Sequence, residues 1–265
     1  YQYILPDFSF KKNIDIPSNY NGVFDFHSHG YHKNFETNIT EAVVINDFIY
    51  TSNNFFNSKG IVSKYNLLLK NTNNYSRNSG NFSDDKNYDL FTMLKYDLSL
   101  PLQKELLNYK HYLKPIVSLK YSPNGNSDLS SKDVALNYNN VFELNRINMD
   151  TEVEGGESLT VGLEFSRESD SSGRILDFKL ANVIKPKKDN NLPTKSKLDQ
   201  TRSDIFGELR YDFSENFKLY LGLEKIHSLF SSTPFLLLFW IHFLTINLFC
   251  GCWIVKDSQK FNISK

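Results

Sequence analysis

From Tyr88 to Leu100 (YDLFTMLKYDLSL) apolar and polar side chains alternate with a period of two. Leu90, Thr92, Leu94, Tyr96, Leu98 and Leu100 share one face, and Asp89, Lys95, Asp97 and Ser99 share the other, with Phe91 and Met93 as exceptions. Successive side chains of a strand point to opposite faces, so such a segment has one greasy side and one wet side. The pattern recurs at 61–70, 113–121, 204–213 and 217–224, and in weaker form at 3–12, 23–32, 41–50, 159–166 and 175–184. It predicts about ten strands of roughly 8–12 residues, near the length a tilted strand needs to cross a bilayer. No sustained apolar stripe of helical period precedes residue 225.

The connections alternate in length. Short links are expected near 13–22, 51–59, 168–174 and 214–216, and longer polar ones at 71–87, 122–158 and 185–203. If the strands alternate direction, every long loop leaves from the same end. Short turns at one end and long loops at the other are the pattern of outer-membrane barrels. Pro101–His111 and Lys33–Thr40 fit it least well. A soluble β-sandwich or β-solenoid would also give alternating strands, though its strands are typically shorter and its loops less one-sided. The fold expected is all-β: an antiparallel meander of about ten long strands from a transmembrane barrel. It would be incomplete, because the chain opens at Tyr1 inside what reads as a strand.

Composition supports this. Hydrophobic residues reach only 40%, yet aromatics reach 15%, a mixture suited to strands with an apolar outside and a polar inside. Lys+Arg 30 balances Asp+Glu 30, so no basic field points to nucleic acid. Cys250 and Cys252 lie in an apolar tail and make no disulfide framework or zinc pattern. That tail departs from everything before it. Pro234–Val255 (PFLLLFWIHFLTINLFCGCWIV) is almost continuously apolar over about the length of a membrane helix. Two domains are therefore expected, a barrel portion at 1–224 and a tail at 225–265. The tail reads either as a membrane helix or, preferably, as non-native sequence of the kind a frameshift produces.

The strongest hint of catalysis is FDFHSHG, with Asp25, His27 and His29, followed by His32. A strand ending in His-x-His opens amidohydrolase-type metal sites, where two imidazoles share an ion. Such a site needs further ligands at later strand ends within a β/α repeat, and none is evident here. Polar residues on the inner face of a strand are the simpler reading. Gly155-Gly156 lacks the Lys-Ser/Thr of a phosphate loop. Asp150, Glu152, Glu154 and Glu157 could hold a cation, but a solvated acidic loop accounts for them more simply. No catalytic residue, metal or cofactor is expected.

Residues 113–165 carry a more particular string. Leu113-x-Pro115 opens a strand and Tyr121-Ser122-Pro123 leaves it. Asn145-Arg146, Asp150, Glu154-Gly155-Gly156, Thr160 and Gly162 follow. This string resembles the barrel region of the LptD family, as do ILPDFSF, INDFIY and DLSLPL upstream, so that the likeness spans about residues 1–224. The resemblance implies an outer-membrane barrel of a Gram-negative bacterium that assembles lipopolysaccharide into the outer leaflet. It also implies an LptE-type lipoprotein plug, periplasmic lipopolysaccharide-transport bridge proteins and outer-membrane lipids as partners. Another outer-membrane channel or receptor barrel is the alternative, and a metal-dependent hydrolase using His27 and His29 a remote one.

Overall fold

A computed structural model describes residues 2–223 except 16, 18–20, 81, 83, 107–108, 170–172 and 215–216. The apolar tail, and with it the choice between a membrane helix and non-native sequence, lies outside the described residues. The elements are β1 (Gln2–Ile14), β2 (Gly22–Phe35), β3 (Thr40–Ser52), β4 (Phe55–Phe56), β5 (Val62–Arg77), β6 (Asn87–Ser99), β7 (Leu102–Leu106), β8 (Tyr109–Ser122), β9 (Gly156–Ser169), β10 (Gly173–Ile184), β11 (Phe206–Ser214) and β12 (Phe217–Leu223). Ten of them form one antiparallel path in chain order, β1-β2-β3-β5-β6-β8-β9-β10-β11-β12. The sheet does not close on itself, since β1 and β12 stand at the two ends of that path.

Strands β5, β6 and β8 expose their Leu- and Tyr-rich faces. Leu67, Leu69, Leu90, Leu94, Leu113, Leu119 and Tyr121 are all exposed. The opposite face carries Lys70, Thr72, Lys95, Ser118, Lys120, Ser158 and Thr160, all buried. A soluble protein orders its faces the other way, apolar side chains inward and charged ones to water. An apolar exterior around a polar interior is the arrangement of a barrel surrounded by lipid. The all-β class and the incomplete barrel sheet are therefore what the chain forms.

Several boundaries differ from the sequence reading. β5 runs on to Arg77, so the connection expected at 71–87 shrinks to 78–86. Its polar end stays in the ladder because Thr40–Asn46 of β3 pairs it on one side and β6, as far as Asn74, on the other. The untidy segment after Pro101 contains β7, which forms a hairpin with the first half of β8. Pro115 sits where β8 changes partner: residues 116–121 pair with β6 and 109–113 with β7. Its carbonyl accepts from the Leu100 N–H at 3.2 Å, so its missing N–H faces the same changeover gap. The proline therefore costs the β8–β9 ladder no bond.

The largest departure concerns the long connections, 123–155 and 185–205, which leave from the same end of the sheet. They are not solvated excursions. They fold back over the inner face, where Leu129, Leu136, Val141, Ile147, Leu192 and Leu198 join Ala181 and Val183 of β10 and Phe206 of β11 in a buried cluster. The two loops also bind each other, through Leu129 N–H to Asn191 O (2.7 Å) and Leu136 N–H to Ser196 Oγ (2.8 Å). A second cluster, Leu68, Phe91, Met93 and Val153, accounts for the two exceptions in β6. Phe91 and Met93 point inward because Val153 of the returning loop covers them.

Candidate functional site

The returning limb of the first loop, residues 145–156, crosses the inner face and is pinned to it by charge. Arg146 is 1% exposed and forks onto Glu154: Nε donates to Oε2 and Nη2 to Oε1, both at 2.6 Å. Its remaining donors reach β9, Nη1 to Thr160 Oγ1 at 3.1 Å and Nη2 to Ser158 Oγ at 2.9 Å. Lys120 of β8 donates to Glu154 Oε2 at 2.5 Å, and Lys185 Nζ lies 3.7 Å from Oε1. Three cations thus surround one carboxylate. Burial pushes the Glu154 carboxyl up, but Arg146 and Lys120 together hold it well below the usual carboxylate range. Burial draws the Lys185 ammonium down despite the pull of Glu154, and Arg146 adds to the depression.

The other residues of the string serve the same strap. The Asn145 side-chain amide donates to the carbonyls of Met149 (2.9 Å) and Glu152 (3.2 Å), closing the turn that follows Arg146. The Asp150 carbonyl accepts from Lys70 of β5 at 2.8 Å, while Lys70 also pairs with Asp47 of β3 at 2.7 Å. Gly155 passes so close to the first limb that a Cβ there would lie 2.1 Å from the Asn124 carbonyl oxygen. Its N–H donates to Asn126 Oδ1 at 2.7 Å. Gly156 then enters β9 with φ +83, a conformation other residues rarely take. Gly162 makes room for the Phe142 ring, which would lie 2.5 Å from a Cβ.

Glu154 is therefore not part of a solvated acidic loop. Sequence reading missed its partners because Lys120 and Lys185 lie far from it along the chain. The usable signal was Lys120 in the inward phase of β8, opposite Ser158 of β9. Because Glu154's folded pKa lies below its ordinary value of 4.5, its stabilising contribution is complete above that value. The contribution is lost only as pH falls through the folded pKa. Tryptic cleavage at Lys187 and Lys188 is thus expected to be no faster at about pH 5 than at about pH 7, once corrected for the protease's own pH dependence.

His27 and His29 lie within β2 rather than at its end. Both project from the inner face with rings stacked at 4.6 Å, and His27 Nε2 is 3.3 Å from Ser9 Oγ. Among the described residues no group of three His, Cys, Asp or Glu side chains could hold a metal ion.

Between the first loop and the inner face lie two adjoining cavities of about 480 and 570 Å³, of which the strap lines only the first. Both are lined by Lys64, Lys95, Asp97 and Phe142. The second is also lined by Lys114 and Lys179, which pair with Glu164 (3.2 Å) and Glu208 (3.3 Å).

Compared with known families, residues 3–223 match the model described as LptD, LPS transport system D. Residues 206–265 match a second model, ABA4-like (ABA DEFICIENT 4-like), which starts in β11 and continues through the apolar tail. No curated protein matches the chain.

Proposed function

The chain belongs to the LptD family, matched over residues 3–223, and from that premise we propose that it assembles lipopolysaccharide into the outer leaflet of the outer membrane. Membership makes it an outer-membrane component of lipopolysaccharide transport; delivery into the leaflet is the finer step. The observation that carries the reading is the inverted sheet, with exposed Leu and Tyr outside and lysines, serines and threonines inside. An amphiphile with a charged head group needs a wet path beside an apolar wall, and this sheet supplies both. The inward loops argue against the alternative of an open channel, because they pack side chains onto the inner face at β5, β6, β10 and β11. The string from Asn145 to Gly162 has a structural role here, and no residue is assigned catalysis. An LptE-type plug and periplasmic bridge proteins are the proposed partners. The barrel portion is assigned to 1–224 and the tail is kept apart from it; rereading the source DNA in all frames tests whether the tail is native.

Photo-crosslinking amino acids at His27 and Tyr31, on the inner face of β2, test the function in cells making lipopolysaccharide. Adducts that carry lipopolysaccharide and vanish when its supply is cut are expected. Inner-face positions that never capture it would defeat the proposal.

A further inference from the structure

We propose that a polar island on the outer face of β2, β3 and β5 is a surface at which a second copy of this chain docks, side by side in the membrane. It rests on the reading of that face as the wall that meets lipid, and the two can fail separately.

Alternation fixes the side on which the island lies. On β3, Val43 and Ile45 are buried and Val44 is exposed, so Asn46 looks outward with Val44. On β5, Lys70 and Thr72 are buried, which turns Asn71 and Asn73 outward beside exposed Leu69. The pairs Ser28–Asn46 and Asn46–Asn71 then align as one row across three strands. Its side chains are joined. Ser28 Oγ donates to Asn46 Oδ1 at 2.7 Å, and Asn46 Nδ2 donates to Asn71 Oδ1 at 3.3 Å. Asn73 Nδ2 donates to the same Asn71 Oδ1 at 2.6 Å. At its two ends the row runs into exposed apolar side chains, Phe10 on β1 and Leu90 on β6. The next row toward the short turns is Phe26, Phe48 and Leu69. The polar groups therefore lie inside the apolar wall rather than at a rim where it stops.

A side-chain amide in that position has no water to turn to. Each carboxamide carries two N–H donors and two acceptor positions. Asn71 uses all four, with Asn46, Asn73 and the Asp89 carbonyl. Asn46 and Asn73 each keep one N–H and one acceptor position unspent among the described residues. Lipid tails supply neither, whereas hydrogen bonds between polar side chains hold membrane proteins against one another. The partner must offer donors and acceptors together, at the same depth and without charge. A second copy does so. Two facing carboxamides exchange a pair of N–H to carbonyl bonds, and a two-fold axis along the membrane normal brings each level of the island to the same level of its mate. Neither the row from Phe10 to Leu90 nor the next one, from Phe8 to Tyr88, carries a charged side chain, so the two surfaces meet without repulsion.

The test uses the full chain in phospholipid vesicles, with a photo-crosslinking amino acid either at Val44, inside the island, or at Leu119, on the outer face of β8. Irradiation at Val44 is expected to give a covalent species of twice the chain mass, and irradiation at Leu119 lipid adducts alone. Asn46→Leu with Asn71→Leu should cut the doubled species at least tenfold. Leucine suits a lipid-facing strand, so the urea midpoint of this variant should stay at or above that of the parent. Asn46→Gln, which keeps the carboxamide, should keep the doubled species. Lipid adducts alone at Val44 would overturn the proposal, as would a doubled species undiminished in the double variant. In cells, a Val44 adduct with a different protein in place of the doubled species would overturn it likewise. All three leave the lipid-facing wall standing. Absence of lipid adducts at Leu119 would instead overturn the wall, and the proposal with it.

Discussion

Glu154→Gln is expected to destabilise the folded chain by about 3–5 kcal/mol, the cost of breaking a buried ion pair by removing one partner. The amide keeps the shape of the carboxylate but removes the negative charge that Arg146, Lys120 and Lys185 share. Three buried cations would then face one another in a medium that screens them poorly. The strap from 145 to 156 would lift, exposing Val153 and uncovering Phe91 and Met93. Replacing all four charges together, as Arg146→Met, Glu154→Leu, Lys120→Met and Lys185→Met, should cost less than Glu154→Gln alone, because no uncompensated buried charge remains. Urea unfolding from lipid vesicles measures both variants. A loss under about 1 kcal/mol for Glu154→Gln would mean that the cluster does not hold the strap.

Leu94→Arg should destabilise the protein in a bilayer by about 2–4 kcal/mol, the cost of a cation on the lipid face near the midplane. Leu94 is 46% exposed near the centre of β6, facing outward, while its neighbour Lys95 lies buried on the inner face. An equally exposed leucine on a soluble protein would tolerate arginine within about 0.5 kcal/mol. The size of the effect therefore separates a lipid-facing wall from a water-facing one. Asn66→Arg, on the inner face of β5, is the matched control and should change stability little. Near-equal effects at the two positions would contradict the assignment of faces.

What could be read from sequence follows from the range of the forces involved. Strand faces and strand order were legible because alternation is local and a meander joins neighbours in the chain. Leu67, Leu94 and Leu119 needed no partner to reveal their side of the sheet. The inward loops were not legible, because Leu136 and Leu198 look like isolated apolar residues in polar stretches until two distant segments meet. Phe91 and Met93 held the one local trace of that meeting, two apolar residues in an inward phase. Their misfit in β6 marked the place where the strap lands. The string from Asn145 to Gly162 was conspicuous in sequence, yet the reason for it lay in Lys120 and Lys185.

Which face of the sheet meets lipid separates a barrel wall from a soluble sheet. Nitroxide labels placed one at a time from Leu90 to Leu98 in lipid vesicles, scored for collision with oxygen and with a water-soluble nickel chelate, measure this directly. Oxygen accessibility should peak at 90, 92, 94, 96 and 98, and positions 91 and 93, under the strap, should be shielded from both reagents. A flat profile along β6, or oxygen peaks at the odd positions, would contradict the barrel wall on which the rest is built.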